Sequence, residues 1–131
     1  MSDKILLVTP PDDILLDGVR VTLVNLNETQ TKIVSDVLTQ LSDIPTTILY
    51  LWNSNTSNDI EWLLDKKHKS DIIIFNANSD DDILVGYLAA QPNSHYFGTL
   101  KSLSSINNCA IYTVDQVTDI MGKIILNHGV R

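Results

Sequence analysis

Two hydrophobic rhythms alternate along this chain, and no other feature of the sequence narrows its possible folds as much. Short, nearly continuous apolar runs of strand length, rich in β-branched residues, occur at residues 19–26 (VRVTLVNL), 46–52 (TTILYLW), 71–75 (DIIIF) and from Ala110 (AIYTV). Between them lie stretches whose apolar residues recur at helical spacing. One such stripe is Ile33, Val34, Val37, Leu38 and Leu41, and another is Val117, Ile120, Met121, Ile124 and Ile125. A strand that is apolar at successive positions must be covered on both faces. Parallel neighbours joined by helical crossovers provide that cover. The expected fold is therefore α/β: three layers around a mostly parallel sheet of about five strands, flavodoxin-like or Rossmann-like.

The start of the chain stands apart from this pattern. Residues 4–8 (KILLV) are stopped by Thr9, Pro10 and Pro11, and an Asp17-Gly18 turn precedes the first core run. Residues 1–18 read as an N-terminal arm or extra edge strand, and residues 19–131 as the alternating core of a single domain. Helix starts are expected at Asn27-Glu28, at Asn58 with Glu61 as a variant capping box, and in the polar cluster Asn78 to Asp82. Asp115 is expected to cap the last helix. Ile60, Leu63 and Leu64 are expected to face the core from the second helix, and Ile83, Leu84, Tyr87 and Leu88 carry the third. His95, Tyr96 and Phe97 read as a weak strand and residues 98–108 as a loop.

Composition excludes several functions. Sixteen acids against nine bases leave a formal charge of -7, with only Lys66, Lys67 and Lys69 clustered, so nucleic acid and anionic membrane are not the expected partners. Cys109 is alone, which rules out an intramolecular disulfide or a cysteine-rich zinc site and fits a reducing, cytoplasmic setting. The N-terminal run is too short for a signal peptide, and no stretch has membrane-spanning length. No cofactor is expected, since none of the five glycines falls in a strand-to-helix turn and no phosphate-binding glycine motif occurs.

From Val19 onward the element order resembles that of flavodoxin-like domains, including response-regulator receiver domains. In receiver domains the third strand ends in a phosphorylated Asp, the first ends beside acidic metal ligands, and a Lys follows the last. The matching positions here are Asn76, then Asn25 and Asn27, then Thr113, and none carries the charge. An amide is a poor nucleophile and a poor Mg²⁺ ligand, so the resemblance implies a degenerate, pseudo-receiver-like core without phosphotransfer. Nucleoside deoxyribosyltransferases are similar in element order. The Glu that those enzymes carry on a helix is absent from residues 80–91.

Two sets of candidate residues follow. Ligands of open parallel sheets sit at the carboxyl ends of the strands. Asn25, Asn27, Asn53, Asn55, Asn76, Asn78, Asp80, Thr113 and Asp115 gather there and could hydrogen-bond a nucleoside or a similar polar ligand. The same residue types cap helices and close turns, and that reading is favoured. The second set is a contact surface for a protein partner or a second copy: Ile5, Leu6 and Leu7 on the arm, with Trp52, Trp62, Tyr96 and Phe97 as exposed aromatics. His68, His95 and His128 fall in separate elements, and Cys109 has no acid-base partner nearby in sequence, so no catalytic or metal residue is assigned. The expected function is a non-catalytic interaction or assembly domain, with a small-molecule enzyme or binder as the alternative.

Overall fold

A computed structural model describes residues 5–10, 12–13, 18–40, 46–56, 58–76, 82–91, 93–97, 109–111 and 114–129. Their elements are β1 (Ile5–Val8), β2 (Val19–Val24), α1 (Glu28–Gln40), β3 (Thr47–Trp52), α2 (Ile60–Lys69), β4 (Ile72–Asn76), α3 (Asp82–Ala89), β5 (Ser94–Phe97), β6 (Cys109–Ile111) and α4 (Val114–Gly129). All strand pairs are parallel, in the order β1-β3-β2-β4-β5-β6. The five core strands and the extra edge strand are as expected, and the core order is that of flavodoxin-like sheets. The expected loop at 98–108 and residues 78–81 of the polar cluster lie outside the described residues, and the last residue of that cluster, Asp82, opens α3.

Strand alternation divides the core into two layers. Val19, Val21 and Leu23 of β2, Leu49 of β3, and Ile72 and Ile74 of β4 pack against Val34, Val37 and Leu38 of α1 and Val117, Ile120 and Met121 of α4. The intervening residues Val24, Ile48, Tyr50, Trp52, Ile73 and Phe75 pack against Trp62 and Leu63 of α2 and Leu84 and Leu88 of α3. Both faces of the central strands are thus buried, at about 1.5–3 kcal/mol for each fully covered Leu, Ile or Phe.

Helix phases differ from expectation in α2 and α3. The buried stripe of α2 is Trp62, Leu63, Lys66 and Lys67, while Ile60 is exposed. Two of its four buried positions are lysines, so a count of apolar residues alone rotates the helix away from its true inner face. Their stems lie along apolar surface while the ammonium groups reach polar or aromatic partners. Lys67 Nζ donates to the Tyr87 hydroxyl and sits 3.9 Å from that ring's centre, tying α2 to α3. In α3, Leu84 and Leu88 point inward, whereas Ile83 and Tyr87 are exposed. The N-cap of α2 is Asp59 rather than Asn58, its carboxylate accepting from Trp62 N at 2.9 Å. Helix α4 begins at Val114, so Asp115 lies in its first turn, where its charge favours the dipole. Among the described residues, no helix is long and apolar enough to cross a membrane.

Entry into β2 requires a glycine. A Cβ built on Gly18 would lie 2.2 Å from the Thr46 carbonyl oxygen, and that same oxygen accepts from Val19 N at 2.9 Å. Backbone on both sides leaves no flexible group to yield. Gly18→Ala is expected to lower stability by about 1–3 kcal/mol, read as a shifted urea midpoint with an unchanged slope; an unchanged midpoint would contradict the close approach.

Candidate functional site

The strand order reverses between β2 and β4, and a crevice is expected at their carboxyl ends. What the described chain places there is a set of local hydrogen bonds. Asn27 Oδ1 accepts from Gln30 N at 2.8 Å, and Gln30 Oε1 accepts from Asn27 N at 3.0 Å, a reciprocal cap on α1. Asn76 Nδ2 donates to the same Gln30 oxygen at 3.3 Å. Asn25 has a left-handed backbone (φ 57°), which asparagine tolerates better than most residues. Its N–H donates to the Trp52 carbonyl at 2.9 Å, and its Oδ1 accepts from Ser54 N at 2.8 Å and from Ser54 Oγ at 3.1 Å.

Asn53 closes the next turn. Its Oδ1 accepts from Asn55 N at 2.8 Å, and its carbonyl accepts from Thr56 N at 3.1 Å. Asn25, Asn27 and Asn53 therefore cap or brace the backbone, while Asn76 bonds to the Gln30 side chain that takes part in the α1 cap. Asp115 is exposed on α4, which follows the edge strand β6 and not the switch point. Asn78, Asp80 and Thr113 lie outside the described residues. Among the described residues, no group of three or more His, Cys, Asp or Glu could hold a metal ion.

The densest cluster of ionisable groups lies on the α2 face instead. Residues 9–18 connect β1 to β2, and their described part is fastened there. Lys66 Nζ sits 3.1 Å from both Asp13 and Asp65, and Lys69 bridges the same two carboxylates at 3.8 and 3.1 Å. The Tyr50 hydroxyl donates to Asp13 at 3.2 Å and accepts from the Arg20 guanidinium. Trp62 Nε1 donates to the Asp12 carbonyl at 2.8 Å, and Lys66 lies 5.2 Å over the Trp62 ring. Burial pushes the Tyr50 hydroxyl up to about 12, against the opposing pull of Arg20. Hydrogen bonds from Lys66 and then Lys69 hold Asp65 below the ordinary carboxylate value. A neutral phenol held between a guanidinium and a carboxylate is a fastening and cannot serve as a base near neutral pH.

The expected aromatic surface does not form. Trp52, Trp62 and Phe97 are buried, because inward strand positions and the rotated α2 take them into the core. Tyr96 is half-buried, its ring 5.8 Å from that of Phe75. On the arm, Ile5 and Leu6 are half-buried, and Leu7 is 62% exposed. Two hollows share Leu26 and Thr31, and Leu7 lines the second of them. One, of about 410 Å³, is lined by Thr9, Pro10, Leu23, Leu26, Thr31, Leu51, Trp52, Asn53 and Thr56. The other, of about 360 Å³, lies along α1 between Leu7 and Ser35. Of the strand-end amides among the described residues, only Asn53 lines either hollow. Leu26 and Thr31 carry no signal in the sequence that separates them from ordinary helix-start residues.

Asn25→Ala is expected to cost about 1–2 kcal/mol and Asn25→Gly less, because glycine removes the backbone penalty while losing the same hydrogen bonds. Urea melts of the two variants check this, and equal losses would refute it. For Tyr50, the folded chain keeps its proton at a pH where the unfolded chain has released it. Stability is therefore retained below 10.0 and falls as pH climbs from 10.0 toward about 12. Urea midpoints across that range should show a slope that Tyr50→Phe reduces.

The chain matches no known protein-family model and no curated protein, so a functional reading rests on the geometry just described.

Proposed function

We propose that this protein is a non-catalytic interaction or assembly domain on a degenerate flavodoxin-like core, acting through a surface formed by β1 and the flank of α1. The observation that carries the reading is Leu7, an apolar side chain 62% exposed on the edge strand of the sheet. Its strand neighbour Ile5 packs partly on the α1 layer, so both belong to the face that α1 only partly covers. An edge strand exposes backbone groups ready to pair with another strand. A second copy is the occupant proposed here, since two such edges meet self-complementarily about a two-fold axis. Pro10 ends the edge and confines pairing to a short segment, which favours a closed pair over an open chain of copies.

Chemistry gives this reading its negative support. The positions that match the charged residues of receiver domains carry amides or, at Thr113, a hydroxyl, and Asn25, Asn27 and Asn76 are engaged in hydrogen bonds within the chain. A lone cysteine and a net charge of -7 suit a reducing cytoplasmic setting and protein rather than nucleic-acid partners.

Light scattering from dilute solution up to about 100 μM is expected to show a dimer, and Leu7→Asp a monomer with the same melting temperature. A native chain that stays monomeric throughout would defeat the proposal.

A further inference from the structure

We infer that the hollow at the carboxyl end of β3 is a binding site for a small, uncharged, mostly apolar molecule carrying one hydrogen-bonding group. Its volume, about 410 Å³, lies within the range of small-molecule sites, and it opens at the carboxyl ends of β2 and β3, beside the β2/β4 switch point and not at it. The floor is apolar: Leu23, Leu26 and Leu51, from the ends of β2 and β3 and the start of the α1 cap. The rim is polar but uncharged: Thr9, Asn53 and Thr56, with Thr31 of α1 forming a wall. Among the described residues that line the hollow, none is a lysine, arginine, histidine or acid. A charged ligand would lose its water there and gain no counter-charge, so the site selects neutral molecules.

The rim is braced in advance of any ligand. Asn25 holds Ser54 by two hydrogen bonds, Asn53 closes the turn through Thr56, and Asp12 N donates to the Thr9 carbonyl at 2.9 Å. The strand-end amides therefore serve a ligand indirectly, by fixing the loop beside the hollow. Because Asn53 Oδ1 is taken by Asn55 N, the amide offers its Nδ2 as donor. The Thr31 hydroxyl can either donate or accept. A ring-containing molecule with a single hydroxyl, carbonyl or amine would lay its apolar body on the leucines and turn its polar group to the rim.

The test uses N-phenyl-naphthylamine, a neutral apolar amine whose emission rises on leaving water, titrated into the full chain. Saturable binding at one site per chain is expected. Thr31→Phe, which fills the hollow, should weaken binding by about tenfold or more, and the negatively charged anilinonaphthalene sulfonate should bind the native chain at least about tenfold more weakly. Leu7→Ser, outside this hollow, should leave the affinity unchanged, which separates the site from the β1 contact. Should Thr31→Phe fail to fold, Thr56→Trp on the exposed rim fills the same space. Non-saturating emission, equal affinity for the sulfonate, or undiminished binding by the filled variant would overturn the inference.

Discussion

A parallel sheet requires every connection to cross one of its faces, and a uniform hand of crossover then decides which face each connection takes. The step from β2 back to β3 runs through α1 on one face. The steps from β3 to β4 and from β4 to β5 run the other way, through α2 and α3 on the opposite face. The step from β1 to β2 shares that second direction. Its described residues Asp12 and Asp13 accordingly lie against Lys66, Tyr50 and Trp62 of the α2 layer. One rule of chirality thus explains why this connection lies on the α2 face, where Asp13 meets Lys66 and Lys69.

The same rule leaves the β1 flank thinly covered. Helix α1 pairs with α4 and reaches β1, yet Leu7 on that strand stays 62% exposed, with a hollow along α1 beside it. Functional potential in this molecule therefore collects at the β1/β3 margin and not at the β2/β4 switch point, which Asn27, Gln30 and Asn76 close with their own hydrogen bonds. The proposed pairing through Leu7 and the inferred capture of a neutral molecule near Thr31 would draw on the two ends of this surface.

Much of the architecture was legible in the residues. The run DIIIF could hardly be anything but a two-sided strand, and Asn27 three residues before Gln30 marks the α1 start as the structure has it. The illegible part has a physical source in each case. Lys66 and Lys67 look solvent-facing by composition, yet their stems are buried and their charges are satisfied by Asp13, Asp65 and Tyr87, partners separated from them by up to 53 residues in the chain. That displaced the expected inner face of α2 and with it the expected exposure of Trp62. Trp52 and Phe97 are buried because helices cover both faces of the sheet: Trp52 packs in the α2/α3 layer and Phe97 in the α1/α4 layer.

By itself, the sequence determined the alternation of strands and helices, their parallel packing and the amides and threonine that stand where receiver domains carry charge, since these follow from periodicity and residue type along short stretches. Only the tertiary structure decided that the amides brace turns, that Lys66 and Tyr50 fasten the arm, and that Leu7 and Thr31 border open hollows. Those outcomes depend on distances between elements far apart in the chain, and crossover geometry sets such distances where no local pattern can.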